Sequence, residues 1–321
     1  MSVNPGQLRR VLAAAAGLFF ATAGGAWAQE TGEHTTIWLP ADFSRHGGAI
    51  DVMFDFILWM TTLVGALVFA AMIYFMIKYR HRPGRHARYT HGNMKLELVW
   101  TLVPTLILAL TAALSQKTWS QIKYHENAPK PEDNPIHVHV VGKQFKWYFH
   151  YPGKDGKFGP TLDPKLVNRD AAEPEKIIGL DRGHPDAKDD LVAVLMYVPV
   201  NRPVLVELDS VDVIHSFFLP SFRVKQDAMP GLHGRIWFEA TRTSRQVVGE
   251  HDDAADSSQG EAAHPIWGYE KSPKPFDIVC AELCGQGHFT MRGDLFIVAQ
   301  DEYERFLKQE ASYLGGGDFG F

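Results

Sequence analysis

The sequence predicts an all-β sandwich or barrel carried on a two-helix membrane hairpin. Three observations predict it. Two long apolar runs are separated by a strongly basic join. Hydrophobicity switches to a period of two after Pro135. Short strand-like runs, punctuated by Pro and Gly, then continue to about residue 300. At 321 residues there is room for a membrane part and a further domain. The formal charge of -5 is mild and is not that of a nucleic-acid binder.

At the N-terminus, Arg9 and Arg10 precede an Ala-rich stretch over about 11–23, and Ala26-Trp27-Ala28 stands before Gln29. A basic start, a short apolar core and an A-x-A-like end read as a secretory signal peptide. The core is short for a membrane span. Residues 1–28 are expected to be removed, leaving 29–52 as an exported N-terminal segment.

Residues 53–119 form the expected hairpin. The first run, about 53–79, has no charge between Asp55 and Lys78. The second, about 96–114, is interrupted by Glu97 and Pro104. Each is long enough to cross a bilayer. The join carries Lys78, Arg80, Arg82, Arg85 and Arg88 and no acid, so it faces the cytoplasm. Everything after about residue 120 then lies outside, as the leader also requires. Glu97, near the cytoplasmic start of the second helix, reads equally as an interfacial anchor or as an ionisable group on a proton path. Pro104 loosens that helix about two turns in.

The β domain spans 135–300. Ile136, Val138 and Val140 alternate with polar positions, and aromatic residues continue the alternation through Phe145, Trp147 and Phe149. Further strands are expected at 191–199, 204–208, 234–240, 276–279 and 294–299. Polar segments at about 153–190 and 241–275 interrupt the rhythm and read as insertions. The histidines there, His184, His251 and His264, read as solvent-facing. A closing helix is expected from 301 to about 314, with a disordered Gly-rich tail to 321.

The chemistry concentrates in Cys280-Ala-Glu282-Leu-Cys284-Gly-Gln-Gly-His288-Phe-Thr-Met291, which holds both cysteines of the chain. Upstream, His215 sits in an apolar run. Thiolate, imidazole and thioether together select copper over hard cations. An exported pair of cysteines could instead form a disulfide, but the flanking His and Met favour metal. Zinc sites more commonly use Cys and His without Met. A mononuclear blue-copper site needs one thiolate, so one is surplus here. Two thiolates can bridge two metals. The chemistry of the residues alone stops at a plausible dinuclear site.

Taken together, the hairpin, the aromatic strand, the His215 segment and the cysteine loop resemble subunit II of the haem–copper cytochrome c oxidases. The resemblance spans nearly all of the chain after the leader except the two insertions. It implies an inner-membrane protein with a periplasmic cupredoxin domain, a Greek-key β-sandwich, that holds the dinuclear copper centre CuA. It implies that Cys280 and Cys284 bridge the coppers, with His215 and Met291 on one, and His288 and the Glu282 carbonyl on the other. The Glu282 side chain would reach a Mg²⁺ or Mn²⁺ site shared with subunit I. Glu97 matches the glutamate at the mouth of the K proton channel. Lys225 and Asp227 match a segment facing subunit I. An apolar shell tunes thiolate-bound copper, and Phe217, Phe218, Leu219 and Phe289 are candidates for it, or else ordinary core residues. The implied partners are subunits I and III, the lipid bilayer, and cytochrome c or another small periplasmic donor. The implied function is electron input to an aerobic terminal oxidase, with oxygen reduced at haem and protons translocated in subunit I.

One departure stands out. The family carries Gly-His-Gln-Trp-x-Trp where this chain has Gly142-Lys143-Gln144-Phe145-Lys146-Trp147. Electron entry is attributed to the first Trp, here Phe145, so entry through Phe145, through Trp147 or from a different donor stays open. Lys143 and Lys146 favour an acidic donor, whereas the acidic domain as a whole favours a basic one. No Cys-x-x-Cys-His occurs, so the donor is expected to be a separate molecule or another subunit. A quinol oxidase subunit would lack the cysteines. A nitrous oxide reductase would lack the hairpin, and a nitric oxide reductase fits the Glu97 segment less well. A copper-delivery module would need an exchangeable site.

Overall fold

The structure is a computed structural model and describes residues 39–86, 89, 91–163, 165–250 and 275–313. The expected leader, the Gly-rich tail, His251 and His264 lie outside the described residues. The chain divides into two units. One holds Gly48–Gln121, and the other holds the described residues up to Gly47 and from Ile122 onward.

In the first unit, α1 (Gly47–Tyr79) and α2 (Met94–Lys123) have 33 and 30 residues and run beyond the boundaries expected from apolarity alone. At 1.5 Å per residue each exceeds the ~30 Å hydrocarbon layer. Both leave large apolar side chains exposed, among them Phe69, Ile77, Leu106 and Leu108, the surface that lipid covers. Asn93 caps α2, its Oδ1 accepting from the Lys95 and Leu96 amides at 3.1 and 3.3 Å. Glu97 lies in the first turn, where a carboxylate suits the positive end of the helix. Pro104 is inside α2 as expected.

The described residues of the second unit contain ten strands: β1 (Ile136–Lys143), β2 (Lys146–Tyr151), β3 (Leu191–Ala193), β4 (Met196–Pro199), β5 (Pro203–Ser210), β6 (His215–Leu219), β7 (Val224–Ala228), β8 (Gly234–Glu239), β9 (Phe276–Cys280) and β10 (Arg292–Val298). They form two five-stranded sheets, ordered β3-β2-β1-β5-β8 and β4-β10-β9-β6-β7. The β1–β5 and β4–β10 pairs are parallel and the other pairs antiparallel. Val138, Val140 and Phe149 of the first sheet share one core with Phe217, Ile278 and Leu295 of the second. Trp147 meets Phe217 edge-on across this core at 5.5 Å. Each such buried side chain contributes about 1.5–3 kcal/mol.

Among the described residues this unit also has the α-helices α3 (Pro174–Ile177), α4 (Ser244–Glu250) and α5 (Gln300–Tyr313). The closing helix α5 stacks Phe306 on Tyr197 at 4.1 Å. Residues 39–46, expected only as an exported segment, are pinned to this unit. Phe43 is buried against Phe276, and its amide and carbonyl bond Ser221 and Thr241.

Two strand expectations are corrected. The run 191–199 is not one strand. It bends at Val194 and Leu195, so that β3 joins the first sheet and β4 the second. Strand β7 was not expected, because Lys225, Gln226 and Asp227 hide its period, and only Val224 and Ala228 point inward.

The polar segment 153–190 is not a solvated loop. Ile177, Ile178, Leu180 and Ala187 build a second small core on Val141, Tyr148, Val192 and Val211. Asp190 fastens its end. Its carboxylate accepts from His150 Nε2 at 2.6 Å, Gly159 N at 2.7 Å and Gly153 N at 3.0 Å, and Arg182 holds its carbonyl at 2.8 Å. Burial drives the His150 pKa below its ordinary value despite the Asp190 carboxylate.

Two outcomes are expected. Asp190→Ala orphans buried donors and should destabilise this layer by about 1–3 kcal/mol, measured by chemical unfolding of the full chain in detergent. Folded His150 resists a proton that the unfolded chain accepts. Stability should therefore be full above about pH 6.5 and fall as pH drops below it, an effect that His150→Gln should reduce in a pH series of unfolding curves.

Candidate metal centre

The site is assembled by strand pairing. Strand β6 lies beside β9 with Phe217 opposite Cys280 and Phe218 opposite Val279. The Ala281 amide bonds the Ser216 carbonyl at 2.9 Å, and the Cys280 amide bonds the Met291 carbonyl at 3.2 Å. His215, at the start of β6, and both ends of the cysteine loop are thereby drawn to one corner.

The donor atoms converge there. Cys280 Sγ lies 3.9 Å from His215 Nδ1, 3.9 Å from Cys284 Sγ and 3.1 Å from the Glu282 carbonyl oxygen. Cys284 Sγ lies 3.6 Å from His288 Nδ1 and 3.7 Å from Met291 Sδ. Both cysteines are free thiols. The potential ligand atoms of His215, Cys280 and Cys284 all fall within 4.8 Å of one another. Two thiols, two imidazoles, a thioether and a carbonyl form a soft to borderline set that suits copper. His215, Cys284 and Met291 are buried, His288 is half-exposed, and the Glu282 side chain faces outward.

His215 is fixed from behind. Its Nε2 donates to Asp212 Oδ1 at 2.8 Å, which leaves Nδ1 facing the thiols, as outer partners of metal-binding imidazoles commonly do. Burial works against charge on Asp212. Hydrogen bonds from His215 and from the Gln144 and Val213 amides more than offset it and hold the carboxyl below its ordinary value. Burial and the neighbouring Cys280 push the Cys284 thiol up to about 11. A bound metal must displace that proton.

The Gln144–Phe145 tip of the β1–β2 hairpin covers the loop. Gln144 Nε2 donates to the Cys284 carbonyl at 2.5 Å. The Phe145 ring lies on Gly285 and Gly287, and a Cβ at Gly287 would overlap it. Gly285 itself has φ +138°, which favours glycine. Phe145 is half-buried, whereas Trp147 is only 2% exposed and stands between His215 and Phe217. Trp147 Nε1 has no hydrogen-bond partner among the described residues.

Other expected residues separate from this corner. Phe217 and Leu219 are buried and Phe218 half-buried, but Phe289 is 82% exposed, because the 3₁₀ turn His288–Thr290 aims it outward. It is no part of an apolar shell. His184 is partly exposed and accepts the Asp186 amide in its own turn. Asp227 accepts from Ser216 Oγ at 2.7 Å, one residue from His215, and Lys225 is exposed. Glu97 belongs to the helical unit. Reasoning from the sequence missed Asp212. Its position three residues before a predicted ligand was the available signal.

The family model for the transmembrane domain of cytochrome c oxidase subunit II matches residues 34–118, and that for the periplasmic domain matches 136–248. The second match includes His215 and stops before the cysteine loop. An "Alternative cytochrome c oxidase subunit 2" of Bradyrhizobium diazoefficiens is 31% identical over 87% of this chain and 85% of its own length. A "Cytochrome c oxidase subunit 2" of Cereibacter sphaeroides is 26% identical over 79% of this chain and 73% of its own length. That of Alkalihalophilus pseudofirmus is 27% identical, and the match spans about half of its length, 54%. Among solved structures, the periplasmic domain of subunit II of cytochrome oxidase from Bradyrhizobium japonicum is 26% identical over 56% of this chain and 96% of its own, with a TM-score of 0.34. The chain belongs to the cytochrome c oxidase subunit II family and is an inner-membrane protein that crosses twice, with a periplasmic β domain of cupredoxin-like kind.

Proposed function

We propose that this chain is the electron-input subunit of an aerobic terminal oxidase, with a dinuclear copper centre of the CuA kind at the corner between β6 and the cysteine loop. The observation that carries this reading is the convergence of His215, Cys280, Cys284, His288, Met291 and the Glu282 carbonyl on one point. When bound, two coppers would supply one-electron redox chemistry with little ligand rearrangement. Cys280 and Cys284 would bridge them, His215 and Met291 would hold one, and His288 and the Glu282 carbonyl the other. Asp212 orients the His215 imidazole through its Nε2 proton. Buried Trp147 and Phe217 exclude water from behind it.

Single electrons from a small periplasmic donor, cytochrome c by the family's name, would enter at the Phe145 tip and leave for haem in subunit I. Phe145 is only half-buried at the hairpin tip whereas Trp147 is fully buried, which supports entry at Phe145. Oxygen reduction and proton translocation would belong to subunit I, so this chain is not itself the catalyst. The outward Glu282 carboxylate would meet the Mg²⁺ or Mn²⁺ shared with subunit I, and Lys225 and Asp227 would line that contact. Subunit III would complete the complex. Glu97, in the first turn of α2, would admit protons to the K channel.

The copper reading predicts two coppers per full-length chain, a near-infrared band and the multi-line EPR signal of a mixed-valence pair. Cys284→Ser should abolish all three, and a single-copper spectrum from the unaltered chain would sink the reading. For proton entry, Glu97→Gln should lower oxygen-reduction turnover of the oxidase while copper reduction in stopped flow stays as fast; equal turnover would remove the role. Gly287→Ala should displace Phe145 and destabilise the loop by about 1–3 kcal/mol, read as earlier loss of the copper band on heating.

A further inference from the structure

The hairpin that ends in Phe145 carries an unusual pair of charges. Lys143 on β1 and Lys146 on β2 are directly opposite each other in the register. Like charges facing across a strand pair destabilise it, and neither lysine has a carboxylate partner among the described residues. The segment 153–190 adds a third cation. Lys143 Nζ donates to the Arg169 carbonyl, and the exposed Arg169 guanidinium donates to the Val211 carbonyl at 2.6 Å. Its Nη2 therefore bonds a neutral oxygen, and its charge stays uncompensated by that bond.

The carboxylate bonded to this hairpin is already engaged. Asp212 accepts from the Gln144 amide at 2.9 Å, the Val213 amide at 2.7 Å and His215 Nε2 at 2.8 Å. A cationic edge of Lys143, Lys146 and Arg169 thus flanks an aromatic tip that rests on the loop bearing the thiols. The rest of the β domain is rich in acid, so this edge is a local reversal of sign. Charge complementarity of this kind sets encounter rate and partner choice.

We propose that the Phe145 tip is a docking surface for a small one-electron carrier protein whose redox group is rimmed by carboxylates. The inference rests on the electron-input reading above and gives the sign of the partner's face. In the exchange the carrier loses one electron and the chain's metal centre gains it. No bond is made or broken and no proton moves.

The test uses the full-length chain in neutral detergent and two labelled carriers, an acidic plastocyanin and a basic mitochondrial cytochrome c, with binding read by fluorescence anisotropy across a salt series. The acidic carrier should bind more tightly, with affinity falling as salt rises. Lys143→Glu with Lys146→Glu should weaken it about tenfold, and the milder Lys143→Gln with Lys146→Gln should fall between. Tighter binding of the basic carrier, or no change in the charge-reversed variant, overturns the proposal. This arm needs no copper. Stopped-flow reduction of the copper-loaded chain should rank the carriers and variants in the same order. A loaded chain without the mixed-valence signal would defeat the dinuclear reading, while anisotropy still decides the docking surface.

Discussion

The pairing of β6 with β9 is the constraint on which the rest of the site depends. Phe217 opposite Cys280 fixes where one strand lies against the other, and every donor atom takes its place from that register. A slip of one residue would turn His215 to the opposite face of its strand. Buried side chains on both sheets defend the register. Phe217 is held by Trp147 from the first sheet, so the two layers must close for the corner to form. Stability and site geometry are therefore properties of the same contacts.

The membrane helices and the β domain solve opposite problems with related means. In α1 and α2 the backbone bonds are internal and the side chains face outward, as a lipid solvent requires. In the sheets the backbone bonds run between strands and alternate side chains turn inward. The segment 153–190 shows how an inserted piece becomes part of such a domain. It covers one face of the first sheet with a few apolar residues, and the carboxylate of Asp190 fastens its end to His150.

Much of this was legible in the sequence. Each membrane helix contains a long apolar stretch, and β1, β2, β5 and β8 stand out as short apolar or aromatic runs. The donor set could be read from Cys280 to Met291 because soft ligands at close spacing are chemically distinctive. Three features were hidden for physical reasons. Strand β7 is polar because one side faces outward, so Lys225 to Asp227 carry no period. The bend at Val194 divides an unbroken apolar run between two sheets, which local pattern does not register. The small core around Ile177 and Ile178 depends on residues as distant as Val141 and Val211, and only the fold brings those together. Phe289 was misread for a related reason: an apolar residue beside ligands suggests burial, but the turn at 288–290 directs it outward.

Asp212 gives the structure an unequal tolerance to change. One carboxylate sets the angle of the His215 ring and, through the Gln144 amide, the seat of the surface hairpin. The bond at the hairpin is made to main chain, so this one anchor does not depend on which side chains the hairpin carries. A change of side chain at 143, 145 or 146 leaves the bond between the Gln144 amide and Asp212 available. Proline, which lacks the N–H, is the one residue that position 144 cannot accept without losing that bond. The surface can thus drift toward new partners while the ligand behind it stays still.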